Sequence, residues 1–378
     1  MPQGGLVREL LESFVKDETV PGAVALLARG DDVEVTTVGS VDVEGTAPMA
    51  RDSLFRIASL TKPITAAAVM VLVEDGRVAL DEPIGEWLPE LAAPMVVRTP
   101  QSPLDDVVSA RRPITVLDLL TARAGYGWPS DFSLPAVQAL FTVQTDGREV
   151  QLRPEPDEWL AQLARVPMLY QPGEAWLYDT CSDLQGILIA RVSGQPLPQF
   201  LAERMFAPLG MRDTGFVVPA AQRHRFTSYY RRDEDGLALA DGPDGQFTHL
   251  PAFPEGSGGL VSTVDDWFRF ARVLLGGGGL LSSESVRQMT TDHLTDAQRE
   301  IGALFLEGQG WGYGGSVDIA ATDPWIVPGR YGWVGGSGTS AHVVPDRGTV
   351  AILLTQVGMD SPVPSNVMRD FWQHSADF

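Results

Sequence analysis

The sequence predicts an α+β fold: one antiparallel sheet built from both ends of the chain, flanked by helices, with a mostly helical region inserted between. Three observations predict it. Apolar, β-branched runs at Gly22 to Ala28 and Val33 to Val38 flank Gly30-Asp31-Asp32, a hairpin signature. Strand-like runs return only after Gly310. Between the two sets the apolar spacing is helical, broken by Pro and Gly. On this reading residues 1–58 and 300–378 form the sheet region and residues 59–299 the helical region, a single unit with its site between them.

Taken in order, Leu6 to Asp17 reads as a helix with Leu6, Leu10, Leu11 and Phe14 on one face. A second helix opens at Ala58-Ser59, tolerates Pro63 in its first turn, continues through Ala66, Ala67, Ala68, Met70 and Leu72, and ends near Asp75-Gly76. Thr115 to Leu120 and Pro154 to Val166 are shorter helices. After the turn Tyr170 to Glu174, a helix is expected with a capping box of Ser182 and Gln185 and a stop at Gly194. Phe200 to Leu209, Val264 to Leu275 and Ser283 to Met289 are helical, while residues 217–257, rich in Arg, Asp, Gly and Pro, read as irregular. Trp311 to Tyr313, Gly332 to Gly336, Ala341 to Val344 and Thr349 to Thr355 read as strands, and Val363 to Gln373 closes the chain as a helix.

Composition narrows the function classes. With 378 residues, 44% of them apolar, the chain can bury a large core. Its single cysteine excludes internal disulfides and cysteine-based zinc sites, and its five scattered histidines offer no metal-ligand spacing. A net charge of −21 disfavours nucleic-acid and membrane partners. The charged N-terminal segment lacks the apolar core of a secretion signal and the longest apolar run is far too short for a membrane span, so a cytoplasmic location is expected.

Ser59-Leu60-Thr61-Lys62 carries the chemistry. Residues three apart share a helix face, so Lys62 projects toward Ser59. A serine hydroxyl attacks only when a neighbour takes its proton, and a helix start offers positive potential to the oxyanion that follows. Both lysines of the chain have serine at minus three, because Ser13-Phe14-Val15-Lys16 matches too. Ser13 falls inside an amphipathic helix and away from its start, so that match is a decoy.

With Ser59 and Lys62, Tyr178 and Trp333-Val334-Gly335 in that order, the chain resembles the serine β-lactamase and penicillin-binding-protein superfamily. The likeness is closest to the class C type and the family VIII carboxylesterases. Gln171-Pro172-Gly173-Glu174, Pro208-Leu209-Gly210-Met211 and Gly258-Gly259-Leu260-Val261-Ser262-Thr263 extend it over nearly the whole length. The resemblance implies an α/β sandwich of the β-lactamase/transpeptidase type. It makes Tyr178 the partner of Lys62 in moving the Ser59 proton, puts the oxyanion between the backbone NH groups of Ser59 and Gly336, and places Trp333 and Gly335 against the substrate. No cofactor is implied.

Two departures bear on the substrate. Thr180 stands where the family's Tyr-x-Asn has asparagine, and Trp333 where the β-lactamases have lysine. Losing a charge-assisted hydrogen bond to a substrate carboxylate costs about 1.5–3 kcal/mol. The expectation is therefore a serine hydrolase of small uncharged esters, with Thr180, Tyr126, Arg330 and His342 as candidate substrate contacts. Alternatives are a β-lactamase or D-alanyl-D-alanine peptidase, an acyltransferase to an alcohol or amine, and a non-catalytic binding relative.

Overall fold

The first hairpin forms as expected, from Gly22–Arg29 and Asp32–Gly39, and its first strand pairs on the other side with Thr349–Thr355 from the far end of the chain. The structure, a computed structural model, describes residues 3–145 and 149–378. Beyond Thr349–Thr355 the sheet continues through Thr339–Val344, Tyr331–Gly335, Ser316–Val317 and Gly310–Trp311, giving seven strands, all antiparallel. Both chain ends thus supply one sheet.

Period-two alternation sorts its faces. Ala23, Ala25 and Leu27 meet the terminal helices Gln3–Lys16 and Asn366–Ser375 in a core with Leu11, Phe371 and Trp372. Val24, Leu26 and Ala28 point the other way, into a larger core that includes Ile64, Val69, Trp267 and Phe270. The helix Thr61–Glu74 runs through that core, and every residue from Thr61 to Leu72 is buried. Such a helix must be apolar around its circumference, and Pro63 costs it nothing because first-turn NH groups have no intrahelical acceptor.

Two expectations change. The helix behind Tyr178 is Thr180–Ser193, with Asp179 at its N-cap position making no side-chain cap bond and with no Ser182–Gln185 box. Its start is fixed by Asp179, whose carboxylate is tied to Lys62, which puts Ser182 inside the first turn. Its end at Gly194, with φ 74, is as expected. Residues 217–257 are not wholly irregular, since Tyr229–Asp233 and Gly236–Asp241 form a hairpin. Arg232, Asp233 and the mostly exposed second strand remove the apolar alternation by which it could have been read.

Candidate active site

Ser59 sits on a single 3₁₀ turn, Ala58–Leu60, that abuts the buried helix. Ala58 before it has φ 43, a left-handed conformation that non-glycine residues adopt at a cost. The strand Tyr331–Gly335 lies against this turn. Thr339 Oγ1 donates to the Ile57 carbonyl at 3.2 Å, and the Ser337 hydroxyl donates to that of Arg56. A Cβ at Gly335 would collide with the Ile57 carbonyl oxygen and the Thr339 hydroxyl, so glycine there allows the approach that brings Trp333 to the site.

Lys62 Nζ donates to Ser59 Oγ at 3.0 Å, to Asp179 Oδ1 at 2.6 Å and to the Ser257 carbonyl at 2.8 Å. Three acceptors for three protons describe an ammonium. Burial by itself would lower the Lys62 pKa, but the Asp179 carboxylate, and then Tyr178, outweigh it and hold the amine above its ordinary value. For Asp179, burial pushes upward and the Lys62 charge and hydrogen bond more than reverse it, so the carboxyl lies below its usual range. Gln144 Nε2 donates to its second oxygen at 2.6 Å. Asp179 holds φ 82, a second unusual backbone angle at the same site.

Tyr178 Oη donates to Ser59 Oγ at 2.8 Å and accepts from Trp333 Nε1 at 3.0 Å. Reciprocal backbone hydrogen bonds of 3.0 Å to Trp128 hold the tyrosine, and its ring stacks on Phe305 with centroids 4.6 Å apart. The Lys62 ammonium lies 4.7 Å from the ring centroid. An indole NH and a buried cation are groups that would stabilise a negative charge on the phenol oxygen.

These groups open onto a cleft of about 340 Å³ lined by Ser59, Tyr178, Phe305, Trp333, Gly336 and Met359 among others. Among the described residues, no Lys or Arg lines it. The structure thus brings together Ser59, Lys62, Tyr178, Trp333, Gly335 and Gly336. The other four candidates lie elsewhere. Thr180 is buried and its hydroxyl donates to Gln144 Oε1. Tyr126 is buried in the core, which pushes its phenol pKa up. Arg330 is ion-paired to Asp318 at 2.8 Å, and His342 packs edge-on to Trp372. Both border a separate cavity of about 50 Å³ that meets the cleft only along Phe305, Trp333 and Val334. Burial first, then the Arg330 charge, pushes His342 well below the usual histidine range, so it stays neutral and cannot supply the missing cation. The decoy is accounted for: Ser13 is exposed with its hydroxyl turned back on the Leu10 carbonyl at 2.7 Å, and Lys16 is exposed.

A profile of the β-lactamase family matches residues 7–366. The chain belongs to the β-lactamase family. An uncharacterised protein of Mycobacterium tuberculosis is 39% identical over 349 residues, covering 89% of this chain and 85% of that protein. Esterase EstB of Burkholderia gladioli is 31% identical over 380 residues, covering 94% and 91% respectively. Among solved structures, EstCE1, described as a hydrolase with promiscuous acyltransferase activity, superposes with a TM-score of 0.83 at 23% identity. That alignment covers 99% of this chain and 98% of EstCE1, and it shows the same fold.

Sequence reasoning missed Asp179, Gln144, Ser257 and Phe305. Asp179 had a signal, since a buried lysine needs a counter-charge and this carboxylate follows Tyr178 directly. The other three have no local signature.

Proposed function

We propose that this member of the β-lactamase family is a serine carboxylesterase that cleaves small uncharged esters through an acyl-enzyme on Ser59. The observation that carries the reading is the convergence of Lys62 Nζ and Tyr178 Oη on Ser59 Oγ, at 3.0 and 2.8 Å. In this mechanism the Tyr178 phenol, which donates to Ser59 Oγ at rest, first releases its proton to solvent, and the phenolate then takes the Ser59 proton as Oγ attacks the ester carbonyl. Lys62 remains an ammonium, held by Asp179, and stabilises the phenolate together with the Trp333 indole NH. The oxyanion develops between the backbone NH groups of Ser59 and Gly336. Tyr178 then protonates the departing alkoxide, and water clears the acyl group by the same route. The site lies between the sheet region and the helical region, which act as one catalytic unit.

Substrate choice rests on the cleft wall. Phe305, Tyr178 and Trp333 present aromatic surface, and the lack of a lining cation leaves a β-lactam or peptide carboxylate without a partner. The relationship to esterase EstB supports the same choice. Hydrolysis of a p-nitrophenyl acyl series beside a chromogenic cephalosporin tests it: short neutral esters should be turned over and the cephalosporin hardly at all. A second reading, transfer to an alcohol in place of water, draws support from the acyltransferase activity ascribed to EstCE1. Added short alcohols would then yield alkyl esters.

A further inference from the structure

Beneath Ser59 lies a buried group of charges to which acyl transfer by itself gives no role. Arg153 Nη1 donates to Asp183 Oδ2 at 2.7 Å, and Arg153 Nε lies 3.0 Å from Glu255 Oε1. All three side chains are buried. Asp183 Oδ1 accepts from the Ser257 amide at 3.0 Å, and the Ser257 carbonyl accepts from Lys62 Nζ at 2.8 Å. Lys62 is paired in turn with Asp179. An unbroken series of contacts therefore runs from Glu255 to the lysine beside the nucleophile.

The series sets two cations, Lys62 and Arg153, against three carboxylates, Asp179, Asp183 and Glu255. Asp179 and Asp183 each accept hydrogen bonds on both oxygens. Glu255 has no well-aligned donor on either oxygen, and among the described residues its ion-pair partner is Arg153 alone. An ion buried with so little support is costly, so Glu255 is the carboxyl that keeps a proton at neutral pH. Burial pushes it up to about 8, with Arg153 opposing, Asp183 and Asp179 adding, and Lys62 opposing.

We propose that Glu255 is a positioning residue that sets the charge balance around Lys62. Protonated, it leaves the group neutral; ionised, it adds a negative charge that tightens the hold of Lys62 on its proton and opposes the negative charge that forms during acyl transfer. The groups that face it are Arg153 from the segment before the Pro156–Leu163 helix, Asp179 and Asp183 from the start of Thr180–Ser193, and Lys62 from Thr61–Glu74. Its effect on rate rests on the Ser59 esterase reading; its effect on Lys62 does not.

Lys16 and Lys62 are the only lysines in the sequence, so protein labelled with ¹³C,¹⁵N-lysine gives two side-chain signals, with exposed Lys16 as the internal reference. The Lys62 signal should step as the pH passes about 8, the Lys16 signal should not, and Glu255→Gln should abolish the step. A wild-type Lys62 signal that stays flat through that interval overturns the proposal without any variant, and so does a step that persists in folded Glu255→Gln. Over the same interval the ratio of kcat/KM for Glu255→Gln to that of the wild type should rise by roughly two- to tenfold, the order expected of one added charge acting through a partly screened interior. A Lys62 step in a protein that hydrolyses no ester leaves this inference standing and sinks the esterase reading instead.

Discussion

Replacing Trp333 with phenylalanine separates the indole hydrogen bond from the aromatic surface around it. Trp333 Nε1 donates to Tyr178 Oη at 3.0 Å, and the indole is almost fully buried between the Tyr178 and Trp311 rings. Phenylalanine keeps an aromatic face there and removes the donor. If Tyr178 carries negative charge in the transition state, the lost bond is charge-assisted and worth about 1.5–3 kcal/mol. At about 1.4 kcal/mol per decade, kcat/KM for p-nitrophenyl butyrate should fall by roughly 10- to 150-fold, mostly in kcat. The assay is steady-state hydrolysis at matched pH, with thermal unfolding to show that the variant is folded. A folded Trp333→Phe with unchanged kcat, or one whose whole loss lies in KM, would refute a role for the indole at the phenol oxygen.

Three further outcomes follow from the same geometry. Tyr178→Phe keeps the ring stacked on Phe305 but loses the group that takes the proton, so turnover should fall by about 10²-fold or more; near-wild-type kinetics would mean another base. Asp179→Asn leaves the buried Lys62 ammonium without its counter-charge and should destabilise the protein by about 3–5 kcal/mol at neutral pH, read by denaturant unfolding. Because the folded Asp179 pKa lies below the ordinary 3.8, its stabilisation is present above 3.8 and is lost as pH falls through the folded value. The stability gap between wild type and Asp179→Asn should therefore narrow in that acid range, and a gap that widens there would contradict the sign. Finally, kcat/KM for p-nitrophenyl acetate or butyrate should exceed that for a cephalosporin by at least about a hundredfold, about 2.7 kcal/mol. Trp333→Lys should narrow this difference mainly by improving the cephalosporin, and equal rates on the two substrates in the wild type would favour the β-lactamase reading.

How far the site could be read from the sequence depended on how local its parts are. Ser59 and Lys62 were legible because three residues on a helix fix a shared face, and Tyr178 because it precedes a helix in a recognisable order. The sheet was legible at both ends because strands such as Gly22–Arg29 and Thr349–Thr355 are continuous apolar runs. Trp333 could be placed but its indole NH could not, since the bond to Tyr178 joins residues 155 apart. Arg153 and Glu255 were invisible for the same reason, and a charged residue in an isolated reading defaults to a solvated face. Arg330 and His342 could be named as candidates but not placed, because strand position says which residues are near Trp333 in sequence but not which side of the sheet they serve. Both turned out to be held by Asp318 and Trp372, away from the cleft.

The central claim is that Ser59 is acylated. Intact-mass spectrometry during turnover of a p-nitrophenyl ester, or after treatment with a fluorophosphonate probe, followed by peptide mapping, tests it most directly. The account predicts one adduct per chain, carried on the peptide containing Ser59, absent from Ser59→Ala, with a loss on the order of 10⁴-fold in kcat in that variant. An adduct on Ser13 or elsewhere, or ester hydrolysis that survives Ser59→Ala at wild-type rate, would contradict it.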